Sequence, residues 1–416
     1  LEDCLRIGID NNLSLESKRR EIQKSKYGVS ENRARLLPQI SAVAGYSNNF
    51  DPPVSVTDGS SYGVPYNITQ TLQHSANAGL EMQMPLFNQT LYTSMSIAKV
   101  VEEISRLSYG KAREDIILQI SKMYYLGQVT AEQIVLIKAN ITRLEELRDI
   151  TRAFFDNGMS MEVDLKRVNI NLENLKVQYD NAQAMMKQQL NMLKYIMDYP
   201  AEKEIALTPV NTDSITTVAL TGLSENLYEL QLTQSQLELA ERQKRMITNG
   251  YIPSLSLTGN WRYAAYTDKG YHWFHSGPSN HWFRSYGLGL TLRIPIFDGL
   301  DKTYKIRKAM IDIENRKLAW EDTRKNLQTQ YLNAVNDLMN NQRNFKKQKD
   351  NYLLAEDVYA VTSDRYREGI ASMTEVLQDE MQMSEAQNNY SNAHYNYRVT
   401  NLMLLKLTGQ IESLVK

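Results

Sequence analysis

Apolar and polar residues alternate in only a few short stretches of this chain, and the clearest stretch lies between residues 286 and 296. Tyr, Leu and Ile occupy every second position there, with mostly Gly, Thr and Arg between them. A repeat of two residues predicts a β-strand with one apolar face. Related patterns occur elsewhere, so four strands are expected, at about 39–50, 76–87, 254–266 and 285–297.

Two long tracts without proline hold most of the remaining chain. They run from residue 86 to residue 199 and from residue 296 to residue 416, and they are rich in Leu, Gln, Lys, Glu, Asn and Ala. This composition favours long helices. Each tract has one glycine in a turn-like setting, at Gly158 in "FFDNGMS" and at Gly369 in "RYREGIAS". Because glycine readily ends a helix, we predict two helical hairpins with tips near residues 158 and 369.

A seven-residue repeat runs through the second tract from residue 306 to residue 366. One seam of this repeat consists of Ile306, Ile313, Trp320, Leu327 and Ala334. Its partner seam consists of Met310, Tyr331, Leu338, Phe345, Tyr352, Tyr359 and Tyr366. The spacing predicts a left-handed coiled coil, in a helix of roughly 100 Å. Other apolar residues lie off both seams and predict neighbours on two sides of the helix: Leu332, Val335, Met339, Leu353, Val358 and Val361.

The same landmarks occur twice and in the same order. "LLPQIS" at 36–41 corresponds to "YIPSLS" at 251–256, and "GLEMQMPLF" at 79–87 corresponds to "GLTLRIPIF" at 289–297. The two tip glycines follow at matching distances. We therefore predict two structural repeats, 1–211 and 212–416, joined by a linker near 199–222.

The strands allow two interpretations. Apolar and polar alternation over about ten residues is typical of a transmembrane barrel strand, but also of an ordinary strand with one face on a soluble core. Four strands cannot close a barrel, and an open edge in a bilayer would leave backbone groups without partners. A membrane form must therefore pool strands from several chains. Aromatic residues near the strand ends favour the membrane interpretation, with a predicted interfacial belt of Trp261, Tyr263, Trp282 and Tyr286.

Composition narrows the possible functions. Lys and Arg number 47 and Asp and Glu number 48, so the balance of charge does not favour nucleic acid as a partner. The single cysteine, Cys4, excludes an internal disulfide, and we interpret it as a helix residue rather than a lipid attachment site. His272, His275 and His281 do not have the spacing of a metal site and are assigned to a loop. No catalytic motif is present, so neither an enzyme nor a cofactor is predicted.

In the order and spacing of its motifs, the whole chain resembles the TolC/OprM-like outer membrane efflux protein family. The motifs that carry the resemblance are "LEDCLRIGIDNNLSLE" at the start, "LLPQIS", the strand ends "PLF" and "PIFDG", the glycine-centred tips with "EVDL" and "TEVL", and "SNAHYNYRVTNLMLLKLTG" near the end. The resemblance implies a mainly α fold with a small β part.

The assembly implied by the family is a homotrimer. Each chain gives four strands to a 12-stranded barrel in the outer membrane of a Gram-negative bacterium, and most of the helical mass forms a tube in the periplasm. The implied partners are a periplasmic adaptor, an inner-membrane pump of the RND or ABC type, and outer membrane lipid.

Site residues follow from the resemblance where the motifs match. Tyr366 matches the aromatic residue before the tip glycine, Glu375 matches an acidic ring at the pore constriction, and Gln378 with neighbouring Asp379 occupies the second acidic position. Ala371 stands where the family has an arginine that locks the tip. An alanine side chain cannot make the link that this arginine makes. The tips within 155–161 and 366–373 are expected to contact the adaptor through Asn157, Gly158, Met159, Glu368, Gly369 and Ile370.

These features together predict an outer membrane exit duct of a tripartite efflux or type I secretion system, which passively conducts small toxic compounds from a pump to the exterior. One alternative is a duct for secreted proteins, which would use the same tube. The other alternative belongs to a different class, a soluble coiled-coil scaffold whose short sheets are only end caps.

Overall fold

The computed structural model describes residues 1–58, 60–70, 72–209, 222–267 and 282–415. Within these residues the chain is mainly helical. The helices are α1 (Glu2–Asn11), α2 (Leu13–Ala34), α3 (Gln89–Asp156), α4 (Glu162–Met197), α5 (Tyr228–Asn249), α6 (Asp301–Arg367) and α7 (Met373–Leu407). The strands are β1 (Gln39–Asn48), β2 (Val54–Asp58), β3 (Tyr66–Gln70), β4 (His74–Phe87), β5 (Ser254–Thr267) and β6 (Trp282–Arg293). Short 3₁₀ turns lie at Ser60–Tyr62 and Ile411–Val415.

The chain divides into two compact units that do not coincide with the predicted repeats. One unit, the helical unit, consists of Leu1–Ile22, Ile104–Gln234 and Leu318–Lys416. The other, the sheet unit, consists of Gln23–Glu103 and Ser235–Lys317. Each unit contains segments from both halves of the chain. The predicted boundary between two repeats at residue 211 concerns the order of elements along the sequence, and it stays a prediction. Part of the predicted linker, residues 210–221, lies outside the described residues.

The sheet unit contains a four-stranded antiparallel sheet in the order β1-β4-β5-β6. All four predicted strands are therefore present, and β4 pairs with β5 to join the hairpins of the two halves. Their ends differ slightly from the prediction. In particular β6 ends at Arg293 rather than near residue 297, because Pro295 has no N–H to donate and Gly299 turns the chain with φ of 66°.

A second, two-stranded sheet was not predicted. It consists of β2 and β3, which pair from Val54↔Gln70 to Asp58↔Tyr66 between the two strands of the first hairpin. Each strand has only five residues, and the residues of both strands whose burial is described are exposed. Strands this short give too few periods of alternation to be recognised in the sequence.

The helical unit holds the coiled-coil core. The predicted seams of α6 are buried at Leu327, Ala334, Leu338, Tyr359 and Tyr366. The off-seam residues Leu332, Met339, Leu353, Val358 and Val361 are exposed within one chain. Met310, which belongs to the sheet unit, departs from the predicted seam because its side chain remains 46% exposed.

Helix α7 is more deeply buried than α6 and has a seam of its own. Apolar and aromatic residues recur in it at Val376, Met383, Tyr390, Tyr397 and Leu404. Buried polar residues alternate with them at Glu380, Gln387, His394 and Asn401. The core of α7 is therefore a coiled-coil seam in which one position of every heptad is polar.

Cys4 lies in α1 and is half-buried beside the core that α1 forms with α3 and α4. Burial raises the pKa of its thiol. The interpretation of Cys4 as a helix residue agrees with this placement.

Candidate functional site

Both helical hairpins turn at the predicted glycines and use the same backbone geometry. Gly158 and Gly369 have φ of 72° and 75°, in the left-handed region that favours glycine. After α3, Met159 N–H donates to Phe154 C=O at 2.8 Å, and Gly158 N–H donates to Phe155 C=O at 2.9 Å. This pair of bonds is the Schellman motif, which satisfies carbonyl groups at a helix end.

The second hairpin repeats this pattern. Ile370 N–H donates to Arg365 C=O at 2.8 Å, and Gly369 N–H donates to Tyr366 C=O at 2.9 Å. The two tips are thus the same structural device, although their sequences differ. The tip residues predicted to contact an adaptor, Asn157, Gly158 and Met159 in one turn and Glu368, Gly369 and Ile370 in the other, are all exposed.

Glu375 begins α7 as part of a capping box. Its carboxylate accepts from Ser372 N–H at 2.9 Å, and its own N–H donates to the Ser372 hydroxyl at 3.3 Å. These bonds satisfy two donors at the start of the helix. The rest of the side chain is exposed, so a capping role and a role in lining a pore are compatible. Gln378 is exposed and Asp379 is half-buried one turn further along.

Tyr366 is enclosed within one chain, with 6% of its surface exposed. Its ring lies 5.7 Å from that of Phe154, and its hydroxyl donates to Thr151 Oγ1 at 3.2 Å. The Thr151 hydroxyl in turn donates to Leu147 C=O at 2.7 Å. Tyr366 therefore ties the end of α6 to α3. Ala371, at the position of the family's locking arginine, is half-buried beside the same core.

Further ties join the two hairpins close to the tips. Arg143 on α3 pairs with Glu356 on α6 at 2.8 Å, and Arg367 on α6 approaches Glu146 on α3 at 3.6 Å. On the other side, Arg167 on α4 donates to Thr374 on α7 at 3.2 Å. Arg367 thus has a partner in another helix, which its sequence context did not reveal.

Glu380 is the polar residue of this region that the sequence interpretation missed. Its side chain is 4% exposed, and one carboxyl oxygen, Oε1, has no hydrogen-bond partner among the described residues. Burial raises the pKa of this carboxyl to about 7. Burial together with the nearby Glu380 also raises the pKa of Tyr359 to about 12. A seven-residue spacing with Gln387 is the signal that could have placed Glu380 in the core.

The four residues of the predicted membrane belt share one face of the sheet. Trp261 lies directly opposite Tyr286 in the register of β5 and β6, and its ring is 5.5 Å from that of Tyr263. Trp282 pairs in register with Ala265 on the same face. Aliphatic residues cover the rest of this face toward the helical ends of the strands: Ile40, Leu80, Met82, Met84, Leu257, Leu288, Leu290 and Leu292.

The opposite face of the sheet is polar. Its central rows contain Ser41, Glu81 and Asn260, then Gln39, Gln83 and Thr258. Arg262 pairs with Glu81 at 2.9 Å across β4 and β5. The sheet therefore separates an apolar side from a hydrophilic side whose charges include a neutralised pair.

A second group of aromatic residues was not predicted. Exposed Phe87, Tyr92, Tyr251, Phe297 and Tyr304 flank the ends of the strands where the helices begin. The rings of Phe87 and Tyr92 lie 6.4 Å apart. With the predicted belt at the other end, this second group brackets the aliphatic rows, as aromatic girdles do in outer membrane proteins.

A family model of outer membrane efflux proteins matches residues 7–197 and 223–410 of this chain. The chain belongs to the outer membrane efflux protein family. It lies in the outer membrane of a Gram-negative bacterium and serves there as an exit duct for efflux.

Relatives of this efflux protein are similar over nearly the whole chain. The outer membrane protein TolC of Vibrio cholerae is 20% identical over 399 residues, covering 92% of this chain and 84% of TolC. The probable efflux pump outer membrane protein TtgC of Pseudomonas putida is 23% identical over 409 residues, covering 93% and 78%. Both relatives are named as outer membrane proteins, and TtgC is named as a probable component of an efflux pump.

Solved structures share the fold, a barrel with a helical tunnel. The outer membrane protein VceC of Vibrio cholerae superimposes with a TM-score of 0.78 at 15% identity, covering 98% of this efflux protein and 95% of VceC. The MtrE outer membrane channel of Neisseria gonorrhoeae, in its open state, gives 0.78 at 18% identity, covering 98% and 88%. The fold class predicted from the sequence is confirmed.

Metal-binding clusters and membrane-spanning helices are both absent from the described residues. In the described ranges no three His, Cys, Asp or Glu side chains are grouped so as to hold a metal ion. His272, His275 and His281 lie outside those ranges. None of the helices described here is long and apolar enough to cross a membrane.

Proposed function

We propose that this efflux protein works as a homotrimer that passively conducts small toxic compounds, delivered by an inner-membrane pump of the RND or ABC type through a periplasmic adaptor. The observation that carries the proposal is the open four-stranded sheet. Its β1 and β6 edges have no partner strand among the described residues, and its aliphatic face is exposed. Open edges are not tolerated in a bilayer, so strands of other copies must complete the sheet.

Exposed apolar stripes on two helices support association of several copies. On α4 the exposed residues Val163, Ile170 and Val177 recur every seven positions. On α6 a second heptad stripe contains Leu332, Met339 and Leu353. Seven-residue spacing suits coiled-coil packing against a helix of a neighbouring copy. Three copies of the four-stranded sheet give twelve strands, above the smallest known barrels of about eight.

The constriction of this duct is proposed at Glu375, with Gln378, Asp379 and Tyr366 around it. Three copies of an exposed carboxylate around a narrow opening repel one another and attract cations. The tips at Gly158 and Gly369 are the proposed adaptor contacts, since the residues that follow the ends of α3 and α6 are exposed there. We propose no catalytic role for any residue.

The test is single-channel conductance of the purified protein in planar bilayers, comparing the wild type with Glu375→Gln. Glutamine keeps the capping box while it removes the charge, so the variant separates the electrostatic role from helix capping. Glu173→Gln is the matched control, since Glu173 is an exposed residue of α4 paired with Lys176. We expect reduced cation selectivity in Glu375→Gln and unchanged selectivity in the control.

Several outcomes would contradict the proposal. Equal selectivity in all three proteins would remove Glu375 from the constriction. A monomer under conditions that keep the protein folded would contradict the homotrimer. Export of a protein, but of no small compound, in cells that depend on this duct would favour the secretion alternative.

A further inference from the structure

An arginine, Arg284, lies on the apolar face of the sheet. In the register of β5 and β6, Arg284 stands directly opposite Tyr263, and its neighbours two positions away on the same face are Trp282 and Tyr286. The guanidinium lies 6.0 Å from the centre of the Tyr286 ring. Arg284 is exposed, and no carboxylate of the described residues lies within ion-pair distance of it. The Arg284 side chain is thus surrounded by aromatic rings and is open to the exterior of the sheet.

Arg262 provides a contrast within the same sheet. It is the residue next to Tyr263 in β5, so its side chain belongs to the opposite, polar face. There it is paired with Glu81 at 2.9 Å. The sheet therefore neutralises the arginine on its hydrophilic side and leaves the arginine on its apolar side without an acidic partner among the described residues.

The position of Arg284 along the strand fixes its depth. An arginine on the lipid face is strongly unfavourable at the middle of a bilayer and nearly neutral close to the bilayer surface. Leu292 lies eight residues further along β6 at the opposite end of the aliphatic rows. At ~3.3 Å per residue and a strand tilt of about 40°, this separation spans roughly 20 Å of depth. Arg284 therefore lies at one boundary of the apolar band.

We propose that Arg284 is a binding site for the phosphate of an anionic membrane lipid, at the surface of the bilayer on the loop side of the sheet. The guanidinium donates paired hydrogen bonds to phosphate oxygens, as arginine does with planar and tetrahedral anions. Trp282, Tyr263 and Tyr286 flank the headgroup, because their rings combine an apolar body with a polar edge suited to this depth. The proposal rests on the membrane placement of the apolar face, and not on conductance through the duct.

The test is native mass spectrometry of the detergent-purified protein titrated with phosphatidylglycerol. Three variants are compared with the wild type. Arg284→Gln removes the proposed ligand, Arg284→Lys keeps the charge without the paired geometry, and Arg262→Gln is the matched control on the opposite face. We expect about tenfold weaker lipid binding in Arg284→Gln, an intermediate value in Arg284→Lys, and wild-type binding in Arg262→Gln. Circular dichroism checks that each variant keeps its helical and strand content.

Two results would overturn the proposal. Equal phosphatidylglycerol binding by the wild type and Arg284→Gln would show that the lipid does not use this side chain, and equal losses in Arg284→Gln and Arg262→Gln would show only a general effect of charge. A further titration includes excess inorganic phosphate. Displacement of the lipid by free phosphate would assign the site to a soluble anion, whereas retention of the lipid supports the headgroup assignment. Lipid binding can be measured on a protein that conducts nothing. A negative result for the lipid site is therefore distinguishable from a failure of the proposed duct function.

Discussion

Replacement of the buried carboxyl of Glu380 should stabilise the protein at neutral and alkaline pH. Glu380→Gln keeps the shape of the side chain and removes its ability to ionise. The carboxyl is 4% exposed, and within the part of the chain that the structure describes its Oε1 atom has no hydrogen-bond partner. A negative charge in this place is poorly solvated, and burial accordingly raises the pKa to about 7 from the ordinary 4.5.

The sign of the pH dependence follows from these two values. Below about pH 4.5 the carboxyl is protonated in the folded and the unfolded chain, and it contributes no pH dependence. Between the two values the unfolded chain releases its proton while the folded chain retains it, so the free energy of unfolding falls as pH rises. Above about pH 7 both forms are ionised and the full loss remains. A difference of about 2.5 pKa units at about 1.4 kcal/mol each gives a loss of about 3 kcal/mol per chain.

Denaturant unfolding of the detergent-solubilised protein, followed by helical circular dichroism, measures this effect. At about pH 4, Glu380→Gln should unfold close to the wild type, because the Glu380 carboxyl is then mostly protonated in both the folded and the unfolded chain. At about pH 8, it should be more stable by up to about 3 kcal/mol per chain. Glu385→Gln is the control, since Glu385 lies in the same helix but is exposed. A stability difference between Glu380→Gln and the wild type that does not change with pH would refute the reasoning.

Three further substitutions test the ties between helices and the tip turn, each by the same unfolding measurement. Tyr366→Phe removes the hydrogen bond to Thr151 and keeps the ring, so we expect a loss of about 1 kcal/mol; no loss would contradict the tie between α6 and α3. Asn140 donates to Gln387 Oε1 at 2.7 Å inside the core. Gln387→Leu alone should cost about 1–3 kcal/mol by leaving the Asn140 Nδ2 donor without its acceptor, and adding Asn140→Leu should recover part of this loss. Gly369→Ala should cost about 1–2 kcal/mol, because alanine is strained in the left-handed region; an unchanged stability would contradict the requirement for glycine.

The elements predicted from the sequence are those whose physical cause is local. The tips depend on glycine in a left-handed conformation. Gly158 and Gly369 occur at positions where any other residue type would be more strained. Strand β6 depends on alternation, which is visible over its whole length. Its end was misplaced because Ile294 and Ile296 continue the alternation after Pro295 has stopped the pairing.

The features that escaped prediction depend on residues far apart in the chain. Glu356 and Glu146 look like ordinary solvated glutamates until α3 and α6 are brought side by side. Arg284 also looked unremarkable, because its lack of an acidic neighbour becomes visible only when the register of β5 and β6 is known. A local sequence pattern identifies a helix or a strand, whereas the residues that it contacts are determined by tertiary packing.

Packing also determines the register of α7, through the buried polar residues Glu380, Gln387, His394 and Asn401, which we call the polar column. Gln387 is paired with Asn140, and His394 Nε2 accepts from Arg398 while its other ring nitrogen faces Glu132 at 3.8 Å. If α7 slipped by one heptad along α3, apolar residues would again meet apolar residues. Asn140, however, would then face a carboxyl or an imidazole instead of a matching amide.

A purely apolar seam would tolerate that slip, but buried polar groups without partners cost about 1–3 kcal/mol each. Alternation of polar and apolar positions therefore selects one register, as a single buried polar residue does in simpler coiled coils. The register of α7 matters for the tip, because Glu375 lies less than two turns before Glu380 on the same helix. The polar column thus stabilises α7 less than an apolar seam would. It does, however, fix the position of the tip residues along the axis of α7 relative to α3.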